Sequence, residues 1–113
     1  MLAGWAASSE IPVVDGGTYA QVRGPRFETR AEIRLLASFA DLVGMTLAAE
    51  CTLAGEAGLA YAALCIVDNL ANGVGAGDPA AAYRETVARR DDALLEALGS
   101  LIATLAQQPL AEL

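Results

Sequence analysis

The chain has 113 residues, of which 55% are hydrophobic, and its 14 acidic and 7 basic residues give a net charge of −7. This length allows one modest core, so we expect one domain, or part of one, over residues 1–113. The acidic balance opposes binding to nucleic acids and to anionic membranes. The longest apolar run, Leu59 to Val67, is far shorter than the roughly 20 residues of a membrane-spanning helix.

The N-terminus and the cysteines bear on location and redox state. No basic residue precedes Arg23, so the charged start of a secretory signal is missing and a cytoplasmic location is expected. Cys51 and Cys65 lie in apolar surroundings without metal-type or CxxC spacing, which predicts two buried, reduced thiols. The chain has no histidine and no carboxylate cluster with ligand spacing, so no metal is expected.

The first half of the chain predicts strands and helices in alternation. β-branched residues between positions 11 and 22, with a turn at Asp15-Gly16-Gly17, indicate a strand-turn-strand element. Apolar residues at helical spacing predict a helix over 27–40. A short strand over 42–46 and a helix over 49–58, ending in a glycine, follow.

The second half begins with the apolar run at 59–67, which lacks the alternation of a half-exposed strand. This run predicts a strand covered on both faces, at the centre of a mainly parallel sheet. A Gly-rich loop over 71–79 and a long helix from Tyr83 to Leu105 follow, with Arg90-Asp91 interrupting the apolar stripe of that helix. Repeated strand and helix alternation predicts an α/β layered domain.

Four polar or Gly-containing clusters stand at the ends of these elements, where α/β folds usually bind ligands. They are Gly24 to Thr29, Gly44 to Thr46, Glu50, and Asp68-Asn69. Each cluster alone is explained by ordinary turn chemistry, since a Gly-Pro pair before a helix is usually a turn.

The order and spacing of the clusters resemble the trimeric purine nucleoside phosphorylase and methylthioadenosine phosphorylase family. The matching segments are Gly16-Gly17-Thr18-Tyr19, Gly24-Pro25-Arg26-Phe27-Glu28-Thr29, Ala31-Glu32-Ile33-Arg34, Val43-Gly44-Met45-Thr46 with Glu50, and Gly58-Leu59-Ala60-Tyr61-Ala62 leading to Asn69. Ala49 replaces the proline of the family's Pro-Glu pair. The resemblance spans about residues 12–105 and implies that residues 1–113 are a single partial domain. This domain would be the C-terminal half of a three-layer α/β fold, with a central mixed sheet flanked by helices.

The resemblance also implies a role for five side chains. Phosphorolysis of a purine nucleoside builds negative charge on the departing base, which must be stabilised. Asn69 would offer its amide to O6 and N7 of a 6-oxopurine as the catalytic base-recognition residue, and Glu28 would accept a hydrogen bond from N1–H. Phe27 would pack on the base or sugar, Met45 would lie under the ribose, and Thr46 would donate its hydroxyl to phosphate.

Each of these residues has a structural alternative. Phe27 could form a hydrophobic staple at a helix start, and Met45 could likewise serve in packing. Glu28 could be a first-turn acid favoured by the helix dipole, and Asn69 could be a turn residue after a strand.

The departures from the family pattern leave the function with alternatives. The family's N-terminal half supplies a Gly-rich phosphate loop and further phosphate ligands that this sequence lacks, and Arg26 and Arg84 are not adequate substitutes. Without a histidine for the 5′-hydroxyl, methylthioinosine is as plausible a substrate as inosine or guanosine.

The first hypothesis is phosphorolysis of a 6-oxopurine nucleoside to free base and (methylthio)ribose 1-phosphate, with inorganic phosphate as co-substrate and no cofactor. The alternatives are a non-catalytic fragment or interaction module that keeps the nucleoside-binding wall, and, more weakly, a hydrolase using water. The resemblance implies a homotrimer, and activity would require complementation by a chain that supplies the N-terminal half.

Overall fold

The structure is a computed structural model that describes Trp5, residues 12–89 and residues 92–107. The chain divides into two compact units, residues 17–88 and residues 1–16 together with 89–113. All five candidate site residues lie in the 17–88 unit. The single partial domain over residues 1–113 stays a prediction, and Ile11, at the start of the predicted strand-turn-strand element, lies outside the described residues.

A strand, a helix and a second strand open the 17–88 unit. Strand β1 (Tyr19–Gln21) pairs in parallel with β2 (Leu42–Gly44), in the register Tyr19↔Leu42, Ala20↔Val43 and Gln21↔Gly44. Helix α1 (Arg30–Leu36) connects them, as a parallel pair requires a crossover. This arrangement confirms the predicted α/β class. Only the second strand of the predicted strand-turn-strand element forms, since residues 12–18 are not in a strand.

Helix α1 is shorter than the helix predicted over 27–40, because local hydrogen bonds define both of its ends. At its start, the Thr29 hydroxyl accepts a hydrogen bond from the Glu32 amide, while the Glu32 carboxylate accepts one from the Thr29 amide, forming a capping box. At its end, the Ser38 hydroxyl donates to the Leu35 carbonyl at 2.7 Å, and the chain turns over residues 37–39. Ile33 is the buried residue of this helix.

Helix α2 (Leu47–Glu56) follows β2 directly, which confirms the predicted strand-then-helix order. It ends at Ala57 and Gly58, the glycine predicted to terminate it. None of its residues is buried. The prediction of buried thiols is therefore wrong for Cys51, which is exposed on α2, and Cys65 is only half-buried; both cysteines are free.

The apolar run at residues 59–67 differs most from its prediction. It forms no strand, and its large side chains are exposed, including Leu59 at 65% and Val67 at 62%. A strand is stabilised by the ladder to its neighbour and by layers on its faces. The described residues offer this run no ladder partner, because the sheet that they form consists of β1 and β2. The predicted central strand is therefore absent from this structure.

Two helices replace the single long helix predicted from Tyr83 to Leu105. Helix α3 (Pro79–Ala88) begins where Asp78 Oδ1 accepts a hydrogen bond from the Ala80 amide at 3.1 Å. Helix α4 (Asp92–Ala106) belongs to the other unit, in which Trp5 and Leu101 are buried. The predicted interruption at Arg90-Asp91 lies outside the described residues. Within the described part of the chain, no helix is long and apolar enough to span a bilayer.

Candidate functional site

The loop from Gly24 to Thr29 approaches the turn that follows β2. Gly24 has a φ of 59°, and a Cβ atom there would lie 2.5 Å from the Met45 sulfur. A side chain is therefore excluded both by the left-handed backbone and by the close approach of Met45. The Gly24–Pro25 peptide bond is cis. The first and second of the four sequence clusters thus meet in the structure.

Glu28 lies at the buried end of this loop, with 8% of its surface exposed. Its backbone carbonyl accepts a hydrogen bond from Asn72 Nδ2 at 3.1 Å, across 44 positions of sequence. Phe27, beside it, is 38% exposed, and its ring meets the Tyr83 ring edge-on, with centroids 6.1 Å apart at 63°. The loop is therefore held against both the turn at residues 71–74 and helix α3.

Asn69 follows the apolar run and is half-buried. Its Nδ2 donates to the Leu70 carbonyl at 2.8 Å, one of several hydrogen bonds that an amide side chain can make. The next turn carries Asn72 and then Gly73, which has a φ of 85°. A Cβ atom at Gly73 would lie 2.9 Å from Arg30 Cγ, so this turn packs closely against α1. The fourth cluster is thus followed within three residues by a group that binds the Glu28 backbone.

Side chains of β1 reach the start of α2, where Thr46 is the N-cap residue. The Tyr19 hydroxyl accepts a hydrogen bond from the Thr46 amide at 3.4 Å, and Gln21 Oε1 accepts one from the Ala48 amide. These two acceptors occupy two of the amide donors that a helix N-terminus presents to an anion. The Thr46 side chain makes no capping hydrogen bond and is exposed. Its hydroxyl, rather than the Thr46 amide, is the group open to a ligand.

Arg26 and Glu32 form a solvent-exposed ion pair at the loop. Glu32 accepts hydrogen bonds from Arg26 through both oxygens, at 2.7 and 2.9 Å, and from the Thr29 amide at 2.7 Å. These contacts, led by the Arg26 hydrogen bond, lower the pKa of Glu32 to about 2. The same hydrogen bond raises the pKa of Arg26, with a smaller contribution from the Glu28 carboxylate. Arg26 therefore joins the loop to α1.

Glu50, the third cluster, lies in the first turn of α2 and is exposed. The pKa of Tyr61 is raised, first by its partial removal from water and then by the negative charge of Glu50. The start of the apolar run thus lies beside α2. Glu50 faces Tyr61 here, and none of the contacts described above joins it to Glu28 or Asn69.

A cavity of about 140 Å³ lies along the Gly-rich loop, lined by Leu70, Ala71, Gly75, Ala76, Gly77, Asp78, Pro79 and Ala82. None of the five candidate residues lines it. Within the described residues, no group of three or more cysteine, aspartate or glutamate side chains could hold a metal ion.

Sequence reasoning missed the roles of five residues that organise this region. Tyr19 and Gln21 share one face of β1, a spacing visible in the sequence, although their target at α2 is not. Asn72 and Tyr83 carry no local signal, because their partners Glu28 and Phe27 lie 44 and 56 positions away. The role of Glu32 had a signal in the pattern Thr29-x-x-Glu32, which is typical of a capping box.

Residues 3–106 match the profile of the phosphorylase superfamily. The chain belongs to this superfamily. The chain is also similar in sequence to three proteins that are named as phosphorylases. It is 48% identical over 90 residues to a probable 6-oxopurine nucleoside phosphorylase of Archaeoglobus fulgidus. It is 59% identical over 58 residues to a probable S-methyl-5′-thioinosine phosphorylase of Methanosarcina acetivorans, and 50% identical over 56 residues to an S-methyl-5′-thioadenosine phosphorylase of Pyrococcus horikoshii.

The matched segments differ in the share of each chain that they cover. They cover 80% of this chain and 36% of the Archaeoglobus relative, against 51% and 22% for the Methanosarcina relative. For the Pyrococcus relative the shares are 50% and 22%. The chain therefore spans about a third or less of the relatives' length. No solved structure matches the chain.

Proposed function

We propose that this chain forms the nucleoside-binding part of a purine nucleoside phosphorylase that acts on 6-oxopurine nucleosides. The observation that carries the proposal is that the first cluster contacts both the second cluster and the turn that follows the fourth cluster, all within the 17–88 unit. Gly24 packs on Met45, and Asn72, three residues after Asn69, binds the backbone of the buried Glu28. These contacts connect the segment that contains Phe27 and Glu28 with Met45 and with the turn that follows Asn69.

The proposed base recognition rests on Glu28 and Asn69. A 6-oxopurine presents a proton on N1 and acceptors at O6 and N7, so it pairs with a carboxylate and with an amide donor. The buried Glu28 supplies the carboxylate and Asn69 supplies the amide. As the glycosidic bond breaks, a hydrogen bond from the Asn69 amide stabilises the negative charge that develops on the purine.

The sugar and phosphate contacts rest on Phe27, Met45 and Thr46. Phe27 keeps an exposed face although its ring contacts Tyr83, so it can pack on an apolar part of the nucleoside. Met45 is half-buried against Gly24, under the proposed ribose. The Thr46 hydroxyl can donate to a phosphate oxygen, because it makes no capping hydrogen bond of its own. In this proposal phosphate is the nucleophile and no cofactor takes part.

The names of the three relatives support a purine nucleoside as the substrate. They differ in the 5′ group and in the base of that nucleoside. Two carry names with 6-oxopurine or thioinosine substrates, and the third is named for thioadenosine. Asn69 favours the 6-oxo bases, since an aspartate at this position would accept a hydrogen bond from a 6-amino group. Inosine, guanosine and methylthioinosine are the proposed substrates, bound by a homotrimer or by an assembly with a chain that supplies the remaining portion.

The base preference is tested by calorimetric titration of the purified chain with inosine and adenosine. We expect inosine to bind more tightly to the wild-type chain, and Asn69→Asp to reverse the order by removing the amide donor. Gln107→Glu, which adds the same charge at the end of α4, is the control and should leave the preference unchanged. An unchanged preference in Asn69→Asp would contradict the assignment of this residue.

The role of Glu28 is tested in the same titration with Glu28→Gln. Loss of the charged acceptor for N1–H should weaken inosine binding roughly 10-fold or more, since hydrogen bonds to charged groups are the stronger ones. Glu56→Gln, at the exposed end of α2, removes an equal charge outside the proposed site. Equal affinities of the two variants would contradict the proposal.

A non-catalytic binding module is the second candidate, favoured by the exposed apolar run at residues 59–67. The binding module and the phosphorylase are distinguished by co-expressing the chain with the part of the Archaeoglobus relative outside the matched 90 residues. Release of hypoxanthine from inosine only when phosphate is present supports the phosphorylase. Release without phosphate indicates a hydrolase, and association without release indicates the binding module.

A further inference from the structure

The backbone of residues 27–29 is held by side chains at every position. Arg26 Nη1 donates to the Phe27 carbonyl at 3.1 Å, and Asn72 Nδ2 donates to the Glu28 carbonyl at 3.1 Å. The Glu32 carboxylate accepts from the Thr29 amide at 2.7 Å. Such hydrogen bonds restrict backbone torsions, and with them the directions in which the Phe27 and Glu28 side chains leave the chain.

Two of these three side chains, Arg26 and Glu32, also bind each other. Arg26 reaches the Phe27 carbonyl while its guanidinium forms a two-point contact with Glu32, at 2.7 and 2.9 Å. The planar fork of arginine fixes both partners in one geometry, which a lysine cannot reproduce. Glu32 is itself fixed on α1 by the capping box. The loop is thus attached to the first turn of α1 on one side and to Asn72 on the other.

We infer that Arg26, Glu32 and Asn72 are positioning residues that orient Phe27 and Glu28 for the nucleoside. We call these three residues the backbone clamp. The inference rests on the proposed function, and it adds residues that act only through the backbone of the two contact residues. A direct ligand role for Arg26 is disfavoured, because its guanidinium is already shared between Glu32 and the Phe27 carbonyl.

If these residues only stabilised the fold, their loss would act through the unfolding midpoint. The Arg26 and Glu32 side chains are 65% and 43% exposed, and exposed ion pairs of this kind contribute little to global stability. Loss of the Arg26 guanidinium should therefore leave the unfolding midpoint at pH 7 nearly unchanged. A loose loop, in contrast, presents its contact groups in several orientations, and binding then selects only a fraction of them.

The test combines backbone hydrogen exchange with nucleoside titration on the purified chain. The Arg26→Gln variant removes the guanidinium and leaves every proposed ligand contact in place, and Asn72→Ala removes the second attachment. Arg84→Gln on α3 and Gln107→Ala are the matched controls, since both side chains are exposed and outside the clamp. Far-UV circular dichroism verifies that each variant is folded.

We expect exchange at the Thr29 amide to rise about tenfold in Arg26→Gln and inosine affinity to fall by about the same factor. The Arg26→Lys variant keeps the charge without the fork, so it should restore only part of the affinity. Asn72→Ala should also weaken inosine binding, whereas both controls should match the wild-type chain in exchange and affinity.

Three outcomes would overturn the clamp. Unchanged exchange at Thr29 in Arg26→Gln would show that the loop does not depend on Arg26. Faster exchange with unchanged inosine affinity would show that the loop's order does not serve binding. Full restoration by lysine would assign the effect to charge rather than geometry. Failure of the wild-type chain to bind inosine would instead overturn the proposed function, while the exchange measurement would still report whether the clamp orders the loop.

Discussion

Residues 18–46 and residues 59–67 are both rich in apolar side chains, yet they behave differently in the structure. The first stretch forms β1, α1 and β2, with a parallel ladder, a capping box and a buried Ile33. The second forms no ladder and exposes most of its large side chains. The first stretch contains its own partners, within 30 residues, whereas a strand at 59–67 needs a neighbour that the described residues do not supply. Apolar composition alone therefore does not produce a buried strand.

The largest expected difference between the two stretches is in the cost of truncating an apolar side chain. Ile33 is 6% exposed and Val67 is 62% exposed. Ile33→Ala should lower the free energy of unfolding by about 2–5 kcal/mol, because it leaves a cavity. Val67→Ala should change it by less than about 0.5 kcal/mol. Urea unfolding measures both, and equal effects would show that residues 59–67 are packed as well as α1.

The next effect concerns the close contact across the two strands. A Cβ at Gly44 would lie 2.1 Å from the Tyr19 hydroxyl oxygen, so Gly44→Ala should destabilise the chain by about 1–3 kcal/mol through overpacking. Gly55→Ala on α2 is the control, because a Cβ there meets nothing within 4 Å. It should stabilise the chain by about 0.5–1 kcal/mol through helix propensity. Thermal unfolding that ranks the two variants in the opposite order would contradict this packing.

A smaller effect is expected at the entrance to the strand pair. Asp41 Oδ2 accepts a hydrogen bond from the Thr18 amide at 2.8 Å, next to the backbone bond from the Asp41 amide to the Thr18 carbonyl. Asp41→Ala should lower the free energy of unfolding by about 1 kcal/mol. Asp15→Ala removes an equal charge from an exposed position and should have little effect. Similar costs in urea unfolding would show that the Thr18 contact does not stabilise the strand pair.

The smallest effect is a pH dependence specific to the first stretch. The pKa of Glu32 is about 2 in the folded chain, against an ordinary value of 4.5. The folded state therefore favours the charged carboxylate, so its stabilising contribution is complete above about pH 4.5 and is lost as the pH falls towards 2. Glu32→Gln keeps an acceptor for the Thr29 amide but should lack this pH-dependent contribution to stability. Unfolding midpoints between pH 7 and pH 2.5 test it, and identical profiles would contradict it.

The parts of the fold that were predictable from sequence are those defined by near neighbours. The order of β2 and α2, the glycine at the end of α2 and the Gly-rich loop were correct, since each depends on a few adjacent residues. The extent of α1 was overestimated, because apolar spacing continued to Phe39 while the capping box and the Ser38 turn limited the helix. The burial of Cys51 was wrong because its apolar neighbours on α2 are not themselves covered.

The candidate site also has a part that was predictable from the sequence and a part that was not. The sequence by itself determined the chemical groups at Phe27, Glu28, Met45, Thr46 and Asn69, and the superfamily to which they belong. Only the tertiary structure decided that Gly24 lies on Met45, that Asn72 holds the Glu28 backbone and that Tyr19 occupies the Thr46 amide. Local patterns specify side-chain chemistry and torsional preference within a few residues. Contacts across 21 to 44 positions form only when packing of the whole unit brings those segments together.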